Sequence, residues 1–206
     1  RLLPMRHYSP TVEAAMQYEL QKQLEDGIVE ASEAVSGAPV LMVKKENSAS
    51  GFRFCVDFTE RNKYVVTEHF PLPTVQTILD SASGAKFFAK LDLRSGYWQF
   101  PVHPDDRHKL SFQVQGKVYQ YRTVAMGHVQ SSYHVQKVMN SLFAKYIGHG
   151  VFVYLDDIII YCKEFDEFCT VLCDVLRILH ECGFKCRGSK CEVGAKEVMC
   201  LGHVLS

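Results

Sequence analysis

Apolar and polar residues alternate along this chain in several distinct rhythms. Val12, Met16, Leu20 and Leu24 recur every fourth residue, with Ala15 beside them, which predicts a packing helix that Gly27 ends. Ser9-Pro10 starts it, serine as cap and proline in the first turn. Residues 1–8 read as an extended lead-in, and residues 28–37, with Ser32, Ser36 and Gly37, as a loop. Residues 39–45 and 52–57 are apolar, β-favouring runs around a polar turn at 47–51, which predicts a hairpin. Residues 58–74 show no clear period, and Phe70-Pro71-Leu72-Pro73 reads as extended because proline disfavours helix in the residue before it. Residues 74–82 predict a short helix, broken by Gly84.

The second half is richer in strands. Residues 87–93 form an apolar run that delivers Asp92 near its end, followed by Arg94-Ser95-Gly96-Tyr97. Trp98 is a core candidate, and His103 to Asp106 is a turn whose acid pair, Asp105-Asp106, reads as solvated. Residues 110–114 and 118–122 predict a second hairpin with one wet face. Residues 124–132 connect it to a helix over 133–146, closed by Gly148. Val151 to Tyr161 reads as strand, tight turn, strand, with Asp156 and Asp157 between two apolar runs. A helix over 164–182 carries Phe168, Val171, Leu172, Val175, Leu176 and Leu179 on one face. Residues 184–186 and 198–201 are short strands, and Gly202-His203 a turn. The order is βαββα-like and predicts an α+β fold with a helix-backed antiparallel sheet.

Paired acids held by a buried hairpin imply a cation, a basic partner or exposure at a cleft, because an unpartnered buried carboxylate is costly. The alternative is a solvated hairpin tip, where Asp is a common turn residue. If the Asp92 strand pairs beside the central hairpin, three carboxylates meet at one sheet edge, a donor set suited to Mg²⁺. Lys44, Lys45 and Arg53 give the first hairpin a basic character that could hold phosphates or simply be solvated.

Composition narrows the field. Lys plus Arg equals Asp plus Glu at 23 each, so any basic surface is local. A hydrophobic content of 47% supports a sizeable core, and no apolar run approaches membrane-spanning length. Of the eight cysteines, all but Cys55 lie at or beyond Cys162. Cys182, Cys186, Cys191 and Cys200 with His180 and His203 could be a zinc cluster, but their spacings fit no common zinc module; buried free thiols in a reducing compartment are the other reading.

Tyr154-Leu155-Asp156-Asp157 resembles the Tyr-x-Asp-Asp box of reverse transcriptases. Phe52 to Asp57, Asn62-Lys63, Phe70 to Pro73, Lys90 to Tyr97 and Phe184 through Leu201-Gly202-His203-Val204 match in order and at family-like spacing. Together they resemble the polymerases of Ty3/gypsy-type LTR retrotransposons, over nearly the whole chain. The resemblance implies a right-hand polymerase fold comprising fingers and palm, with the thumb absent. Residues 1–84 would be mainly fingers and 85–206 mainly palm, with about 104–123 returning to the fingers.

The implied activity is RNA-directed DNA synthesis, transferring a nucleotide from a dNTP to a primer 3′-hydroxyl on an RNA or DNA template. Asp92, Asp156 and Asp157 would be the catalytic, metal-binding acids, holding two Mg²⁺ ions, with Mn²⁺ as a substitute. Lys45, or else Lys44, and Arg53 would hold the triphosphate, with Tyr97 as the gate under the sugar and Met126 and Gly127 in the nucleotide pocket. Tyr154 and Leu155 would lie near the primer end, and Leu201, Gly202 and His203 resemble the primer grip. Partners would be a primer–template, dNTPs, and the thumb, connection and RNase H domains of the same polyprotein, with no membrane. The setting would be cytoplasmic, in the element's virus-like particle, or nuclear, and not secreted.

One block departs from the family pattern. Val124-Ala-Met-Gly-His-Val-Gln-Ser-Ser132 lacks both usual prolines, although Gly127, Gln136, Met139 and Asn140 remain. That departure motivates an alternative: a domesticated or decayed polymerase fold that binds nucleic acid or protein without catalysis. A metal-dependent nuclease would also use clustered acids, but it leaves the basic hairpin and Tyr97 unexplained.

Overall fold

The computed structural model describes residues 7–46, 48–68 and 74–206. In chain order the first elements are α1 (Pro10–Glu25), β1 (Val29–Ala31), β2 (Val40–Lys44), β3 (Phe52–Val56), α2 (Thr59–Asn62) and α3 (Val75–Ser81). Then come β4 (Phe87–Asp92), β5 (Ser111–Val114), β6 (Lys117–Tyr121) and α4 (Ser131–Leu142). The last are β7 (Val151–Tyr154), β8 (Asp157–Cys162), α5 (Phe165–Glu181), β9 (Glu192–Ala195), β10 (Val198–Cys200) and β11 (His203–Leu205). The content is α+β, as the sequence predicts. The predicted extended stretch Phe70–Pro73 lies outside the described residues.

The chain divides into two compact units, Arg1–Thr67 with Tyr97–Ser131, and Glu68–Gly96 with Ser132–Ser206. The segment Tyr97–Ser131, which contains residues 104–123, packs with the first unit.

In the first unit, α1 buries Ala15, Met16, Leu20 and Gln23, while Val12 and Leu24 are only half-buried. Pro10 occupies the first turn, but the Ser9 side chain makes no capping bond; its backbone carbonyl accepts from Glu13 N–H instead. Residues 29–31, expected as loop, are strand β1, which pairs antiparallel with β6 in the order β1-β6-β5. Three residues are too few to show a period, and Glu30 is held by partners distant in sequence. Arg107 and Gln120 hydrogen-bond its carboxylate, and Arg122 Nε lies 3.6 Å away.

The hairpin of β5 and β6 turns through Gln115 and Gly116, both at positive φ, the conformation two-residue hairpins prefer. The expected wet face is not found on β5. Ser111, Phe112 and Val114 are buried, because Phe112 packs edge-on to Phe54 at 5.6 Å and against Tyr121 at 5.2 Å. Trp98 packs partly buried against this same core.

In the second unit, β7-β8-β4-β9 form one antiparallel sheet. Ile158, Ile159 and Ile160 are fully buried, so β8 is covered on both faces. Ile159 and Tyr161 join Ile78 of α3, Phe88, Phe152 and the β10–β11 residues Val198, Cys200 and Leu205. Helix α5 buries Phe168, Val171, Val175 and Leu179, while Leu172 is half-buried and Leu176 exposed. Phe87 meets Phe165 and Phe168 across that interface.

Helix α4 starts at Ser131 and ends at Leu142, earlier at both ends than the expected 133–146. Strand β9 was not expected: its residues are mostly exposed, so no apolar run marks it. Residues 184–186 make a single bridge, Leu93 to Cys186, rather than a strand. The last turn is Leu201-Gly202, and His203 begins β11. All eight cysteines are free thiols; Cys162 and Cys200 are buried, whereas Cys173 and Cys182 are exposed. The expectation that the thiols are buried therefore holds only in part.

Candidate active site

The second unit brings the three predicted acids to one end of its sheet. The register pairs Asp92, the last residue of β4, directly with Asp157, the first of β8. Asp156 lies in the turn between β7 and β8, where Tyr154 pairs with Asp157. Directly opposed residues share a face, and so do residues two apart on a strand. Lys90, Asp92, Asp157 and Tyr154 therefore lie on the same side of the sheet.

That turn is strained. Leu155 has φ of 55°, a left-handed conformation uncommon for a γ-branched residue. Gln136 of α4, fully buried, holds it there. Its Oε1 accepts from Leu155 N–H at 2.7 Å, and its Nε2 donates to Val153 C=O at 3.0 Å and to Asn140 Oδ1 at 2.8 Å. Gly96 closes the other side. A Cβ there would stand 2.5 Å from Asp156 Cβ, so only glycine leaves room for the acid.

Two lysines offset the charge. Lys90 Nζ lies 3.4 Å from Asp157 Oδ2 and donates to Met199 C=O at 3.0 Å. Lys190 Nζ lies 4.0 Å from Asp92 Oδ2. Burial, and then the charges of Asp157 and Asp92, push the Asp156 carboxyl above its usual range; its own backbone hydrogen bond and Lys190 oppose the shift. Among the described residues, no three His, Cys, Asp or Glu side chains stand as a closed metal-holding group. The donor set nonetheless fits a hard divalent cation: three carboxylates at one strand end, one of them destabilised by its like-charged neighbours.

The predicted primer-side residues lie in the same unit. Leu201 and Gly202 form the β10–β11 turn at φ of 49° and 79°, and His203 follows, exposed. The Lys90 bond to Met199 C=O ties that hairpin to the acidic face.

The predicted nucleotide-side residues lie in the first unit. Arg53 pairs with Val43 and Lys44 with Phe52. Phe54 and Val56 face the core, so Arg53 faces outward, as does Lys45, two residues beyond Val43. The register thus makes Lys45, not Lys44, the neighbour of Arg53 on the outer face. Tyr97 is half-buried in a 3-10 turn over Gly96–Gln99.

Met126 is 53% exposed and Gly127 has φ of 88°. Their segment is ordered without its prolines. Asn62 donates to Gly127 C=O and accepts from Val129 N–H, and Ser131 Oγ donates to Ala125 C=O.

Sequence reasoning gave no role to Gly96, Gln136, Lys90 or Lys190. Lys90 had a readable signal, its two-residue offset from Asp92. The partners of Gln136 depend on tertiary packing and had none.

An antiparallel strand and a hairpin thus bring three acids to one end of the sheet, and comparison with known proteins gives the family. Residues 43–205 match the family described as Reverse transcriptase (RNA-dependent DNA polymerase), and the chain belongs to it. It is 32% identical over 206 residues to the Transposon Tf2-3 polyprotein of Schizosaccharomyces pombe, and equally to the Tf2-7 polyprotein, which are Ty3/gypsy-type elements. Each match covers 99% of this chain and 15% of the relative, so the chain spans a small part of those polyproteins.

Among solved structures, the foamy viral protease-reverse transcriptase in complex with RNA/DNA hybrid matches with a TM-score of 0.87 at 23% identity. That match covers 99% of this chain and 27% of that one. A Prototype Foamy Virus Protease-Reverse Transcriptase mutant matches at 0.85 and 25% identity, over 98% of this chain and 27% of that one. The fold is that of reverse transcriptase fingers and palm.

Proposed function

We propose that the chain catalyses RNA-directed DNA synthesis, adding nucleotides from dNTPs to a primer 3′-hydroxyl. The observation that carries this reading is the pairing of Asp92 with Asp157, with Asp156 in the adjoining turn, in a member of the reverse transcriptase family. Asp92, Asp156 and Asp157 would hold two divalent cations. Such ions, once bound, favour the deprotonated 3′-oxygen and stabilise the leaving pyrophosphate.

The chain's own residues do the rest. Gly96 and Gln136 fix the turn that presents Asp156. Lys90 holds Asp157 from the same face. Lys45 and Arg53 take the triphosphate, arginine bidentately and lysine as a point charge. Tyr97 excludes a ribose 2′-hydroxyl, Met126 and Gly127 border the nucleotide, and Leu201, Gly202 and His203 support the primer. The template is RNA or DNA, in keeping with the foamy viral complexes with dsDNA and with RNA/DNA hybrid. The setting under this reading is the element's cytoplasmic virus-like particle or the nucleus.

The test is single-nucleotide incorporation on an RNA template with Mg²⁺, with protein in excess and at low salt, where phosphate contacts are strongest. One labelled nucleotide added to the primer is the expected result. A folded chain that binds primer–template but adds none would overturn the reading in favour of a non-catalytic binding module, the alternative that the departing block at 124–132 motivates.

A further inference from the structure

Strand β4 turns Phe88, Lys90 and Asp92 to one face of the second unit's sheet. Helix α3 and the β10–β11 hairpin cover that face: Phe88, Ile159 and Tyr161 pack with Ile78, Val198, Cys200 and Leu205. Lys90 stands where the apolar cover ends and the acids begin. Glu192 lies directly opposite it on β9, yet the Lys90 ammonium turns to Asp157, with Nζ 3.4 Å from Oδ2. The same Nζ donates to Met199 C=O at 3.0 Å. The two side chains are only 20% and 29% exposed, so salt screens them less than a surface pair. One ammonium thus joins an acid of the site to the backbone of the hairpin. Lys190, the other lysine beside the acids, is 58% exposed and stands 4.0 Å from Asp92.

We propose that Lys90 is a positioning residue for nucleotidyl transfer with two opposed effects. It weakens divalent-cation binding at Asp157, and it fixes the β10–β11 hairpin to the acid end of the sheet. The role in synthesis rests on the polymerase reading; the charge and hairpin effects do not.

The first effect is electrostatic. An ammonium against a carboxylate occupies oxygen lone pairs and repels any second cation that approaches them. Without it, Asp92, Asp156 and Asp157 keep one offsetting charge fewer, and a divalent ion is drawn in more strongly. The second effect is mechanical. Met199 C=O loses its Lys90 donor, and the hairpin is freed from β4 just before Leu201, Gly202 and His203, the residues assigned to primer support. Metal affinity and synthesis therefore move in opposite directions when Lys90 is lost. A residue that only held the fold together would lower both.

The experiment compares the parent chain with Lys90→Met, Lys90→Arg and Lys190→Met. Methionine keeps an unbranched stem without the charge, and arginine keeps the charge. Mn²⁺ alone is titrated, without nucleotide or primer, and the free ion is read by electron paramagnetic resonance. Lys90→Met should bind Mn²⁺ at least about fivefold more tightly, the factor that one pair of unit charges about 4 Å apart makes even in bulk water. Lys90→Arg should stay near the parent. Hydrogen exchange over residues 198–205 should accelerate in Lys90→Met and stay unchanged in Lys190→Met. Single-nucleotide incorporation by Lys90→Met should fall about 10–100-fold, the range for residues that orient metal ligands.

Mn²⁺ binding by Lys90→Met no tighter than the parent's would overturn the proposal. So would unchanged exchange over residues 198–205, or an equal acceleration in Lys190→Met. Neither readout needs turnover, so a parent that binds Mn²⁺ but adds no nucleotide would count against the polymerase reading alone.

Discussion

Asp156 carries a conflict between stability and function. Its carboxyl pKa is raised in the fold, first by burial and then by Asp157 and Asp92. A folded pKa above the unfolded one means the native state binds the proton more tightly. Stability therefore falls as pH rises from the ordinary carboxyl range through the folded value, and the full cost is present at neutral pH. Asp156→Asn removes that charge, so it should raise the thermal midpoint at pH 7 relative to the parent while eliminating nucleotide incorporation. Equal or lower midpoints in parallel melts would refute the assignment.

Gly96 is the complementary case. Alanine there puts a Cβ 2.5 Å from Asp156 Cβ, so Gly96→Ala should cost about 1–3 kcal/mol in urea unfolding and lower incorporation with it. At this scale the acids were legible, because a strand ending in Asp and a hairpin bearing two of them stand out from their apolar flanks. The need for glycine was not, because Asp156 lies 60 residues away and meets Gly96 only in the fold.

Elements were readable wherever their period was long enough. The hairpins β2–β3 and β7–β8 and the helices α1 and α5 follow their apolar patterns. Strand β1 was missed because it is short and its register depends on β6, some ninety positions on. The Glu30 carboxylate on β1 feels burial, which raises its pKa. The Gln120 and Arg107 hydrogen bonds and the Arg107 and Arg122 charges outweigh that, and the net shift is downward. Its stabilising effect is thus present above the unfolded carboxyl range and is lost as pH falls through the folded value. Glu30→Gln should destabilise the protein at pH 7 and narrow the gap to the parent as pH falls below the carboxylate range, which thermal melts across pH would show.

Gln136 of α4 ties the helix to β7 and its turn. Gln136→Leu would leave Leu155 N–H and Val153 C=O without their partner, at a cost of about 1–3 kcal/mol for each buried group left unsatisfied. Urea unfolding should record that loss, and incorporation should fall more steeply than stability because the turn presents Asp156.

For the whole molecule, the fold class and family were legible because the matching blocks run in order along nearly all of it. The division into units was harder to read. Tyr97–Ser131 rejoins Arg1–Thr67 after an intervening stretch, and no linker composition marks either crossing. The replaced prolines at 124–132 left less trace than their loss suggests, since Asn62 and Ser131 hydrogen bonds order that segment.

The central claim is that Asp92, Asp156 and Asp157 act together in nucleotidyl transfer. Its most direct test is Mg²⁺-dependent incorporation of one dNTP on an RNA template by the parent beside Asp92→Asn and Asp157→Asn. The parent should extend the primer, and each variant, folded and still binding primer–template, should lose more than about 100-fold, beyond the loss typical of outer-shell changes at metal sites. Variants that extend the primer as fast as the parent would contradict the account.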